Sequence, residues 1–156
     1  MSTTSKRLLI GFAAGFLSHL VIEGALGAGL YAAGLIPSLP WSLTLVPPLG
    51  VPRSLSLAFW AGLFGVLYVL LEPWLTARLG RWQGGLLYGL VVPLSVDWFI
   101  VLPLKGHGIG GGFHPAAVPI DIALNAALGL GAVAIFWWGF GLIRRQPPAL
   151  PGALHG

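Results

Sequence analysis

The sequence predicts an all-α integral membrane protein, a four-helix bundle with both termini cytoplasmic, and three observations predict it. Of 156 residues, 56% are hydrophobic and only 8% charged, whereas a soluble domain carries about 25% charged residues. So few charges cannot coat a water-facing surface, and lipid must solvate most of the chain. Four segments are apolar over the roughly 20 residues that an α-helix needs to cross a hydrocarbon core of about 30 Å. The positive charges, finally, segregate to one side of those segments.

The first span, about 8–33, follows Lys6 and Arg7 as the core of a signal peptide would. It is far longer than the roughly 7–15 apolar residues of such a core, and it contains His19 and Glu23, so it reads as a retained helix. The loop 34–54 is apolar yet too rich in proline to span. It is expected at the headgroup level with Trp41 as an interfacial anchor, or packed on a partner subunit. The second span covers about 55–76. A short polar turn with Arg78, Arg81 and Gln83 leads to the third, about 84–104. The loop 105–118 is glycine-rich and expected to be flexible. Pro119 is placed to open the fourth span, about 119–143, which stops at Arg144 and Arg145. The tail 146–156, rich in proline and glycine, is expected to be loosely ordered. One transmembrane domain, 1–156, accounts for the chain.

Lys6, Arg7, Arg78, Arg81, Arg144 and Arg145 fall on one side, Arg53 and Lys105 on the other. The positive-inside bias places the six in the cytoplasm. Dispersed over four spans, these cations form no basic stripe, so no nucleic-acid partner is expected despite a pI near 10.1. The chain has no cysteine, which excludes disulfides, thiolate metal sites and thiol nucleophiles. Trp82, Trp137 and Trp138 suit the interfacial belts.

The four carboxylates carry the most information: Glu23, Glu72, Asp97 and Asp121. An unpaired ionisable group in a span costs at least about 2.5–3.5 kcal/mol. At the helical rise, Glu23 lies roughly 22 Å and Asp97 roughly 20 Å from the cytoplasmic side. Asp121 opens the fourth span at the outer face, with Asn125 one turn deeper. His19 and Glu23 are spaced i,i+4 on one helix face, as are Asp121 and Asn125. Gly11 and Gly15 continue the first ridge, and Gly85, Gly89 and Pro93 run up to Asp97 on the third span. Such small-residue ridges let helix backbones approach closely in lipid, which places these polar groups on the packed side.

The functional reading is an outward polar pocket for a ligand or ion, lined by His19, Glu23, Asp97, Asp121 and Asn125, with Arg53, Lys105, His107 and His114 at its mouth. A structural reading stands beside it: Arg53 neutralises Glu23, and Lys105 neutralises Asp97 or Asp121, to fix helix packing. Glu72, near Arg78 and Arg81, is expected to make a surface pair. For a metal, the candidates are His19, Glu23, His107 and His114. No Glu-x-x-His or His-x-x-His pair accompanies them, and no cofactor is specified. The glycine run after Lys105 precedes no strand–helix unit, so a phosphate site is not expected. The matching ridges of spans one and three hint at two duplicated hairpins; against this, spans two and four align poorly, and with 24 glycines in the chain a chance match is expected.

The segment Val96-Asp-Trp-Phe-Ile-Val-Leu-Pro-Leu-Lys-Gly106, followed by Leu124-Asn-Ala-Ala-Leu-Gly-Leu-Gly131, resembles small uncharacterised four-span bacterial inner-membrane proteins. The likeness covers the C-terminal third and implies a bacterial inner membrane. The leading expectation is a non-enzymatic accessory subunit, or a small transport or binding protein, in the bilayer as a homo-oligomer or as part of a larger membrane complex. The alternative is a redox or metal-binding subunit, or an intramembrane enzyme, using His19 and the carboxylates.

Overall fold

A computed structural model describes residues 2–144, so Arg145 and the tail 146–156 lie outside the described residues. Four helices are long and apolar enough to cross a membrane: α1 (Thr3–Ala32), α2 (Arg53–Leu79), α3 (Arg81–Leu104) and α4 (Val118–Arg144). Hydropathy marks where each helix is greasy, whereas caps and turns set where it stops. Ser2 caps α1 by accepting from the Ser5 amide at 3.1 Å, so the helix starts ahead of the apolar run that begins at Leu8. Helices α2 and α3 extend through the expected polar turn. Gly80 alone reverses the chain, at φ +77°, a conformation that glycine adopts without penalty.

The long connections lie at the opposite end of the bundle from the termini. Between α1 and α2, Leu45–Val46 (β1) and Val51–Pro52 (β2) pair antiparallel, a two-residue exception to the all-α expectation. Between α3 and α4 the chain makes a 3-10 turn over Ile109–Gly112. Phe113 closes that turn in the left-handed region, at φ +49°. Its ring packs edge-on against Trp98, with centroids 5.2 Å apart, which offsets the backbone strain.

Around the bundle the order is α2, α1, α4, α3, with α3 closing on α2. The core sits in the half that carries the termini, where Tyr68 meets Tyr88 and Phe136 edge to face. Large apolar side chains also coat the outside: Leu9, Phe59, Trp60, Leu70, Val91 and Ile100 are each at least half exposed. Helices coated this way gain little from hiding apolar area in lipid, so their association rests on close packing. Glycine supplies that closeness. A methyl group on Gly11 would overlap Val69 and Gly65 O of α2, and one on Gly15 would overlap Ala61 O.

The α3–α4 contact repeats this pattern residue for residue. A methyl on Gly85 would overlap Val133 and approach Gly129 O, and one on Gly89 would overlap Asn125 O. Gly11, Gly15, Ala61, Gly65 and Val69 thus correspond to Gly85, Gly89, Asn125, Gly129 and Val133. Each hairpin also donates one side-chain hydrogen bond to the other, from positions one turn apart in the correspondence. Ser18 Oγ donates to Leu128 O at 2.8 Å, and Tyr88 Oη donates to Phe64 O at 2.6 Å. The two acceptors occupy equivalent positions on α4 and α2. The two hairpins thus share one packing pattern, α1 on α2 as α3 on α4.

Two helices are not α-helical throughout. α1 winds as a π-helix over Ser18–Glu23, and α3 does so over Asp97–Val101. Both segments lie near the loop end, and Glu23 of one corresponds to Asp97 of the other. Single π turns within α-helices occur frequently at functional sites.

Candidate functional site

Two cavities open at the loop end, one in each hairpin. The first, about 470 Å³, lies between the π segment of α1, the start of α2 and the loop between them. His19, Glu23, Arg53, Leu57 and Leu124 line it together with loop residues, among them Trp41. His19 Nδ1 stands 2.8 Å from Glu23 Oε2. The side chains are 18% and 20% exposed, so the pair is reachable but screened on most sides by protein.

The π winding has a local consequence. The Gly24 amide bonds His19 O and Val21 O, passing over Leu20 O, its ordinary partner one α-turn back. Trp41 Nε1 donates to that carbonyl at 2.9 Å. The indole lies so close to Gly24 that a methyl there would stand 2.8 Å from Nε1. Trp41, expected as an interfacial anchor, has its N–H end folded onto α1.

The second cavity, about 430 Å³, is lined by Asp97, Leu102, His107, His114 and Asp121 together with backbone of the glycine loop. Asp121 Oδ2 accepts from Trp98 Nε1 at 3.0 Å. Asn125 Nδ2 donates to Asp121 O at 2.9 Å, so its amide turns back on α4. Asp97 makes no side-chain hydrogen bond with another described residue. The residues expected around one pocket are thus divided: His19, Glu23 and Arg53 at the first cavity, Asp97, Asp121, His107 and His114 at the second. Lys105 lies exposed beyond the end of α3. Among the described residues, neither Arg53 nor Lys105 forms an ion pair with a carboxylate. The neutralising pairs of the structural reading are not formed. No three His, Asp or Glu side chains among the described residues group as metal ligands, so His19 with Glu23 and His107 with His114 remain separate pairs.

Glu72 departs from its expected place on the surface. It is 5% exposed, receives Arg7 Nη2 at 2.7 Å and accepts from Thr76 Oγ1 at 3.0 Å. The reason is reach. α1 packs alongside α2, so a cation in its first turns meets the carboxylate well before Arg78 or Arg81 does. Those two instead lie over indole rings, Arg78 on Trp74 at 5.1 Å and Arg81 on Trp137 at 4.2 Å.

Sequence reasoning passed over Ser18, Trp98 and the role of Trp41. Ser18 had a signal, a hydroxyl inside an apolar run that must bond across to a neighbouring helix or back on its own. The other two had none, since their partners lie about 20 residues away across loops of irregular course. Comparison with family models, curated proteins and solved structures found no match to the chain in any of the three.

Proposed function

We propose that the chain is a four-span membrane protein that admits a small polar or cationic solute from the outer face through its loop-end cavities, without catalysing a reaction. The observation that carries this reading is the His19–Glu23 pair, held partly exposed in a cavity of about 470 Å³ at one end of an otherwise apolar bundle. Ionisable groups retained inside membrane helices mark solute and ion paths by default. Glu23 beside Arg53 in the first cavity suits a polar solute, and Asp97 with Asp121 in the second favours a cation. Lys6, Arg7, Arg78 and Arg81 belong to the end that carries the termini, which supports a cytoplasmic assignment for that end.

The test uses proteoliposomes with K⁺, Na⁺ and H⁺ as probe ions. Glu23→Gln and Asp97→Asn are expected to lower flux of the conducted ion at least tenfold while the protein still assembles. Wild-type flux no greater than that of empty liposomes, or unchanged in both variants, would count against the proposal. A second reading, an accessory subunit, draws on the apolar hairpin and its approach, where Leu43 is 85% and Leu49 82% exposed. Under that reading the protein comigrates with larger partners on native gels of gently solubilised membranes, and migration as a lone species would oppose it.

A further inference from the structure

The loop over the first cavity is fixed firmly at both ends and lightly in the middle. At its start, Gly34 turns the chain at φ +72°, with the Gly34 and Leu35 amides closing onto Tyr31 O and Leu30 O. At its far end the Ser42 amide donates to Ser54 Oγ at 2.6 Å, and that hydroxyl donates back to Ser42 O at 3.1 Å. Ser54 lies in the first turn of α2, so the hairpin beyond Ser42 is anchored to the bundle. Between these fixed points Ile36, Ser38, Leu39, Pro40 and Trp41 form a wall of the cavity. Among the described residues, a single hydrogen bond ties residues 36–41 to the helices, from Trp41 Nε1 to Leu20 O.

We propose that residues 34–41 are a strap that opens and closes the first cavity, latched by Trp41 on the carbonyl that the π segment of α1 leaves unpaired. Three features make the latch releasable. The freed carbonyl belongs to the loop end, where water can replace the indole as donor. Against α1 the strap sets Pro40 over Gly27 and Trp41 over Gly24, two residues with no side chain to grip it. Gly34 and the Ser42–Ser54 clasp provide pivots, so the strap can swing without disturbing the helices. Lifting it uncovers the His19–Glu23 pair, and closing it screens the pair from water. This inference rests on the solute reading only for its purpose, since the motion stands or falls by itself.

The chain is free of cysteine, which allows a direct test by single-cysteine labelling of the whole protein in detergent with a charged maleimide. Leu57→Cys reports from the cavity wall. Trp41→Phe removes the donor and keeps a ring, and should raise the labelling rate at position 57 about fivefold to tenfold, the population shift expected for one lost hydrogen bond. Gly24→Ala pushes on the indole from beneath and should give the same increase by an independent route. Leu49→Cys, at the hairpin tip and 82% exposed, should label at an unchanged rate in both backgrounds. An unchanged rate at position 57 in both variants would overturn the proposal. So would labelling of Ala14→Cys, a core site 1% exposed, rising in step, because the whole bundle would then have loosened. Strap-dependent labelling without Glu23-dependent flux would support the strap and remove the solute reading. The reverse pattern would remove the strap alone.

Discussion

Replacing Gly65 with alanine tests whether close approach of the helix backbones, rather than apolar burial, holds the bundle together. The added methyl would overlap Gly11 O and lie 2.8 Å from Gly15 N and 3.0 Å from Gly11 C. All three atoms are backbone, so no side-chain rotation relieves the clash, and α1 and α2 must part along the ridge. Overpacking a rigid contact costs about 1–3 kcal/mol, against which alanine returns up to about 1 kcal/mol of helix propensity. A net loss of about 1–2 kcal/mol is expected. Two controls calibrate it. Gly29→Ala meets nothing within 4 Å and should stabilise by up to about 1 kcal/mol. For Gly62→Ala the nearest atoms all belong to the ring edge of Phe12, from 2.6 Å, a side chain able to swing aside, so the change should be close to neutral. Gly129→Ala, the counterpart in the second hairpin, should cost about as much as Gly65→Ala. The assay is reversible unfolding in mixed micelles titrated with dodecyl sulfate, followed by near-UV circular dichroism. If Gly65→Ala proved as stable as Gly29→Ala, the close-packing argument would be refuted.

Two further outcomes concern polar contacts. Arg7→Ala should cost about 2–3 kcal/mol, less than the roughly 3–5 of a fully buried pair, because the Arg7 side chain is 27% exposed. Glu72→Gln should cost less, since the arginine left behind reaches water while a stranded Glu72 carboxylate does not. The same unfolding titration ranks the two, and the opposite order would contradict the geometry. Ser18→Ala and Tyr88→Phe each delete one hydrogen bond between hairpins and should cost about 0.5–1.5 kcal/mol, with a double mutant close to additive. A loss above that range in either would show that the hydroxyl does more than join the hairpins.

The four helices were legible in the sequence because hydropathy over 20 residues is a local property. So were the ridges through Gly11 and Gly15 and through Gly85 and Gly89, and the i,i+4 spacing of His19 with Glu23. The π segments were not, because nothing in their composition distinguishes them from α-helix. Each inserts an extra residue per turn and rotates the remainder of its helix about the axis. Gly11 and Gly15 accordingly face α2, Ser18 reaches α4, and His19 with Glu23 face the cavity instead of continuing one ridge. The pairing of Glu72 with Arg7 joins residues 65 apart, beyond any local pattern. The repeat was half visible for a simple reason. Gly11 and Gly85 are 74 residues apart, Gly65 and Gly129 only 64, so no single offset aligns both helices of the hairpins. The second connection is shorter, and a sequence comparison at a fixed step loses α2 and α4.

That repeat also bears on ancestry and stoichiometry. Two identical two-helix chains packed about a two-fold axis would build this bundle, each presenting the same surface to the other. Joining them in one polypeptide replaces a concentration-dependent dimer with a unit of fixed composition. It also frees the halves to differ. His19 corresponds to Pro93, and Glu72, which binds Arg7, corresponds to the fully buried Phe136. A symmetric dimer would have to carry every polar group twice, at twice the insertion cost. The single chain keeps a histidine–glutamate pair in one cavity and two aspartates, Asp97 and Asp121, in the other, an asymmetry that no pair of identical subunits can sustain.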